Sequence, residues 1–84
     1  MRSVLSVEAG DFSLICELDD GKTYSYDMSF IKNSSGEMTA PLKALAFFKK
    51  VFIESGALAW PNGYDIHANT IEREGQLIKN EEAS

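Results

Sequence analysis

Hydrophobic positions recur with period two over the first thirty residues. Across residues 3–8, Val4 and, less strongly, Ser6 alternate with Leu5 and Val7. Ala9-Gly10-Asp11 breaks the run. From Phe12 to Leu18, Phe12, Leu14, Cys16 and Leu18 share one face, and Ser13, Ile15 and Glu17 the other. After Asp19-Asp20-Gly21 the alternation resumes, with Tyr24, Tyr26 and Met28 opposite Thr23, Ser25 and Asp27. Period two over such lengths marks half-buried strands. An Asp-Gly step supplies the positive φ of a tight hairpin turn. Residues 3–28 are therefore expected to form a three-stranded antiparallel meander.

Beyond Met28 the rhythm changes. Lys32 to Glu37 is polar and contains Gly36, so it reads as a loop and as the best candidate for a mobile segment. Pro41 suits an early helical position, with Thr39 as a cap before it. Leu42, Leu45, Ala46 and Phe48 then follow a helical stripe. Val51-Phe52-Ile53 has strand propensity, Ser55-Gly56 is a turn, and Leu58 and Trp60 share a face of a second short strand. The prediction is a short helix followed by a hairpin, in preference to one helix from Pro41 to Ser55. Pro61 ends the strand because it has no N–H for the ladder. Asn62-Gly63 turns the chain, and Asp65 is placed to accept N–H groups that follow it. Ala68 to Arg73 suits a closing helix, with Ile66 and Ile71 inward and Gly75 as its stop. The fold class is α+β, with one domain over residues 1–75 and a flexible acidic tail over 76–84.

Composition narrows the class. A chain of 84 residues has room for one core. Its apolar and charged content is ordinary for a soluble globular domain, so no metal or disulfide is needed for folding. Cys16 is the single cysteine, which excludes an internal disulfide and fits a reducing cytoplasm. The start carries no apolar signal core, and no apolar run approaches the roughly 20 residues of a bilayer span. The net charge of −5 argues against broad binding to nucleic acid, which needs Lys and Arg.

The most specific segment is Trp60-Pro61-Asn62-Gly63-Tyr64-Asp65-Ile66. Together with Ser3-Val4, Leu14, Leu18, Asp20-Gly21, Tyr26-Asp27-Met28, Leu42, Phe48 and Val51, it resembles a family of short bacterial proteins known as domain of unknown function 2442. The resemblance covers roughly residues 3–72. It implies an α+β domain with an N-terminal meander and a helix before the Trp-Pro-Asn-Gly segment. Some members stand alone, some precede a helix-turn-helix DNA-binding domain, and some lie beside small proteins in arrangements that suggest toxin–antitoxin pairs. The resemblance implies no catalytic residues. This chain ends soon after Ile71 without a DNA-binding domain, so direct operator binding is not expected and an adaptor role is.

Candidate chemistry is sparse. Trp60 is ordinarily a core residue, and otherwise an interface anchor. Pro61, Asn62 and Gly63 are ordinarily turn residues. Asp65 is either an Asx cap or a carboxylate offered to a basic partner. Asp27 follows the third strand in a similar setting. Asp27, Asp65 and His67 are the residues from which an acid–base or metal-dependent enzyme would be built. No nucleophile elbow or Cys–His pair accompanies His67, and one Cys with one His cannot make a zinc site. Tyr24, Tyr26 and Lys22 suggest a stacking sheet for RNA only weakly at this charge. Lys43, Lys49 and Lys50 are the basic cluster, ordinarily a solvated surface.

The expectation is a non-enzymatic protein-interaction domain, antitoxin-like or a regulatory adaptor, without cofactor or metal. Its partner-binding residues are Trp60, Asn62, Tyr64, Asp65, His67 and Asp27. The first alternative is an acidic inhibitor that mimics nucleic acid and blocks a basic enzyme, with Glu8, Asp19, Asp20, Glu54, Glu72 and Glu74 on one face. The second is a small enzyme using Asp27, Asp65 and His67. No membrane contact is expected, and a sheet edge offers a route to a homodimer.

Overall fold

The computed structural model describes residues 2–80. Strands β1 (Val4–Ala9), β2 (Ser13–Leu18) and β3 (Lys22–Asp27) form the antiparallel meander. Cys16 stands opposite Val7 on one side and Tyr24 on the other. The inner face carries Leu14, Cys16, Leu18, Tyr24 and Tyr26, all buried. Burial pushes the Cys16 thiol up to about 12, so it stays protonated and behaves as a small apolar residue. At the β2–β3 turn Gly21 has φ 81° and its N–H donates to the Leu18 carbonyl at 3.2 Å. Asp20 braces the turn by accepting from the Lys22 N–H at 3.0 Å and the Tyr24 hydroxyl at 3.1 Å.

The alternation expected in the first strand is broken by a bulge. Val4 pairs with Leu18 and Ser6 with Glu17, leaving Leu5 as an extra residue. A bulge of this kind resets which face the following side chains take. Val4 and Val7, three apart, therefore both turn inward, while Leu5 is 58% exposed.

Between β3 and the next strand the chain is built of short turns. Ser29–Asn33 and Ala40–Lys43 are 3₁₀ turns, and α1 (Leu45–Phe48) is a single helical turn. The helix expected from Pro41 is interrupted at Ala44, whose backbone is extended at φ −82°, ψ 119°. Leu42 and Phe48 reach the core from opposite sides of that break. Thr39 does not cap; its hydroxyl donates to the Gly36 carbonyl at 3.1 Å.

The predicted hairpin follows as β4 (Phe52–Glu54) and β5 (Ala57–Ala59). Ser55 and Gly56 have φ 52° and 81°, the paired left-handed geometry of a two-residue hairpin loop. A two-residue strand, β6 (Asp65–Ile66), adds to β5 and completes a small sheet in the order β4-β5-β6. This hairpin meets the meander where the Val4 N–H donates to the Gly56 carbonyl at 2.8 Å.

Helix α2 (Ala68–Glu74) buries Ala68 and Ile71, then stops at Gly75. The chain does not end its ordered part there. Gln76–Asn80 forms β7, which pairs antiparallel with β3 and makes the larger sheet four-stranded, β1-β2-β3-β7. All five residues of β7 are exposed, so no burial rhythm announced it. The rest of the expected tail, residues 81–84, lies outside the described residues. Among the described residues no helix is long and apolar enough to cross a membrane.

Gly75 is the hinge of this return. A Cβ there would stand 2.6 Å from the Ile71 carbonyl oxygen and 3.3 Å from that of Ser25. Gly75→Ala is expected to destabilise the fold by about 1–3 kcal/mol, the usual range for overpacking. Urea denaturation checks it, and an unchanged midpoint would show that the α2–β7 junction tolerates a methyl group.

Candidate interaction site at the Trp-Pro-Asn-Gly turn

Pro61 stops β5 and begins the turn. The Gly63 N–H donates to the Trp60 carbonyl at 2.9 Å, and the Trp60 N–H donates to the Tyr64 carbonyl at 2.9 Å. Gly63 has φ 95°, so the loop between Trp60 and Tyr64 is a three-residue hairpin connection closed by a left-handed glycine.

Trp60 anchors this turn from below. It is 1% exposed, and its indole N–H donates to the Phe48 carbonyl at 2.8 Å. Its ring belongs to a continuous aromatic row. Centroid separations are 5.3 Å from Phe12 to Phe48, 6.0 Å from Phe48 to Trp60 and 5.6 Å from Trp60 to Tyr64. The Lys32 ammonium lies 4.8 Å from the Phe12 ring centre and closes the far end. Trp60 thus offers no ring to a partner, and Tyr64 is half-buried by the same packing.

Asn62 performs the bracing that the sequence assigned to Asp65. Its Oδ1 accepts from the Tyr64 N–H at 3.3 Å, and its Nδ2 donates to the Met38 carbonyl at 2.9 Å. The second bond ties the turn to residues 34–39. That segment is itself cross-linked, because the Ser34 and Thr39 hydroxyls are 2.6 Å apart and the Gly36 N–H donates to Ser34 Oγ at 3.3 Å. The Met38 side chain lies over Gly63 and is 47% exposed. Sequence reading missed Met38 because its place depends on Asn62, 24 residues away.

Asp65 is exposed on β6. The strand register puts it in one cross-strand row with Ala59 and Phe52, and Phe52 is 42% exposed. His67 is exposed and precedes α2, capping it with no side-chain hydrogen bond. It lines a cleft of about 370 Å³ with Arg2, Ser55, Ala57 and Asn69. Asp27 belongs to the other sheet, where its Oδ1 accepts from the Ser29 N–H at 2.9 Å. Among the described residues no group of three His, Cys, Asp or Glu side chains could hold a metal ion.

Arg2 organises several of the carboxylates. It lies 3.4 Å from Asp19 and 3.1 Å from Glu72, and its backbone N–H donates to Asn69 Oδ1 at 3.2 Å. Glu74 lies 3.2 Å from Arg73. Three of the six carboxylates expected to form one bare acidic face are therefore paired with arginine.

The chain belongs to the family described as Protein of unknown function (DUF2442), whose model matches residues 4–76. No curated protein and no solved structure matches it. The match spans both sheets and the whole turn.

Trp60→Phe removes the indole donor and leaves a void beside Phe48. It is expected to cost about 2–4 kcal/mol of stability, read by urea denaturation. A loss below about 0.5 kcal/mol would mean that the Phe48 carbonyl has another partner of equal value.

Two carboxyls set the acid limb of stability. The Ser29 backbone N–H holds Asp27 below its ordinary range, and the Ser3 backbone N–H together with Arg2 does the same for Asp19. A depressed folded pKa contributes stability above the unfolded value and loses it as pH falls through the folded one. Stability is therefore expected to decline below about pH 4. Asp27→Asn and Asp19→Asn should each flatten that decline, and carboxyl NMR titration should find both groups below the model-peptide value.

Proposed function

We propose that this DUF2442 domain is a non-enzymatic protein-interaction domain, antitoxin-like or a regulatory adaptor, that holds a partner through the outer surface of the Trp60–Asp65 turn. One observation carries the reading: the turn is fixed from beneath by a buried indole and open above. Pro61, Gly63 and Asp65 are exposed, Asn62 is partly so, and Met38 extends the surface over Gly63. A surface already rigid before binding loses little conformational entropy in the complex. Its mixture of an apolar patch and a free carboxylate suits a partner with a basic rim around an apolar centre. Trp60 contributes as the anchor of this surface, Tyr64 as its half-buried flank, and His67 as its border on the cleft.

Asp27 lies on the other sheet and is engaged by Ser29, so it is left out of the proposed surface. The arginine pairs at Asp19, Glu72 and Glu74 weigh against nucleic-acid mimicry. The setting we propose is the cytoplasm, where a lone thiol such as Cys16 stays reduced.

The test is affinity capture by tagged protein from its native host, identified by mass spectrometry and repeated with Asp65→Ala. The variant should keep its circular dichroism spectrum and lose about tenfold in affinity for the captured protein, consistent with loss of an interfacial charge pair. Equal affinity of the two proteins would remove the turn from the interface.

A further inference from the structure

The sheet edges of this fold are not alike. β1 and β7, the edges of the larger sheet, each carry a bulge. Bulges blunt an edge against further pairing. β4, an edge of the small sheet, has none. Phe52, Ile53 and Glu54 pair in unbroken register with Ala59, Leu58 and Ala57. All three residues are exposed, and Phe52 and Ile53 leave 42% and 36% of their surfaces in solvent.

The two-residue turn fixes which backbone groups are free. Glu54 and Ala57 flank that loop and form its hydrogen-bonded pair. Alternation along an antiparallel ladder then turns the N–H and C=O of Ile53 away from β5, those of Phe52 toward it, and those of Val51 away again. β1 meets this hairpin at its turn, through Val4 and Gly56, the end remote from Val51.

The strand that would complete this edge is written in the edge itself. Lys50-Val51-Phe52-Ile53-Glu54 is complementary to its own reverse in charge and in hydrophobicity. We propose that two copies of this chain pair β4 to β4, antiparallel, about a two-fold axis at Phe52. Val51 then faces Ile53 of the partner subunit as a hydrogen-bonded pair, using the outward backbone groups of both. Phe52 faces its own counterpart at the closer, non-hydrogen-bonded position. Lys50 faces Glu54 of the partner subunit, and the symmetry repeats that ion pair at the other end. An isologous contact of this kind closes as a dimer and does not propagate.

This proposal is independent of the turn as a partner surface, because its variants leave Met38, Asn62 and Asp65 unchanged. Sedimentation equilibrium of the full chain, from micromolar to near-millimolar concentration, tests it with Lys50→Glu, Glu54→Lys and the double reversal. The parent is expected to move from one to two chain masses. Each single reversal sets like charges opposite each other twice and should raise the dissociation constant about tenfold. The double reversal restores opposite signs and should return within about threefold of the parent. Circular dichroism identifies any variant that has failed to fold, and Phe52→Ser then serves as a second probe, expected to shift the equilibrium toward monomer. A parent that stays monomeric throughout would overturn the proposal. So would a dimer indifferent to the single reversals, or one that the double reversal fails to restore.

Discussion

The bond from the Trp60 indole to the Phe48 carbonyl is the constraint on which most of the molecule depends. Phe48 is the last residue of a helix of one turn, a place where carbonyls lack intrahelical donors. Trp60 supplies one from the opposite layer at 2.8 Å. That bond fixes α1 against the small sheet and seats the indole in the row from Phe12 to Tyr64. Phe12 has φ 57°, which an aromatic residue adopts only at a cost of order 1–3 kcal/mol. Its ring is held by Phe48 and Lys32, and its carbonyl accepts the Met28 N–H at 2.8 Å. The β1–β2 turn and the Trp-Pro-Asn-Gly turn are thus two ends of one packed column.

The same column explains why an exposed turn has so well defined a shape. Local chemistry supplies the left-handed Gly63 and the Asx contact of Asn62 to Tyr64. Tertiary structure supplies the indole beneath and the Met38 carbonyl beside it. With only local contacts a loop of this size would sample several conformations. Here the side chains that face solvent ride on groups that do not.

Much of this architecture was readable in the residues. Leu14, Cys16 and Leu18 alternate cleanly because β2 is the central strand of the meander, with neighbours on both sides and one buried face. Asp20-Gly21 and Ser55-Gly56 mark turns through the φ their glycines allow. β1 misled because a bulge shifts its inward set from period two to Val4 and Val7. β7 was invisible because its existence depends on an unpaired edge of β3, created far away in sequence. At the candidate site, Asp65 looked like the bracing residue, yet Asn62 has both a donor and an acceptor and satisfies two elements at once. Met38 and Phe52 carried no local mark, since their neighbours across the surface come from other segments.

Arg2 reaches Asp19 at the β2–β3 turn, and Asn80 pairs with Lys22 just beyond that turn. The point where the described chain enters the fold and the point where it leaves are therefore on the same corner. A short flexible linker suffices to join them, and the chain can instead be opened at Ser55-Gly56, where a two-residue loop carries no core side chain. The topology behaves as a ring whose starting residue is a matter of choice. It can be spliced into a surface loop of another protein without pulling its sheets apart.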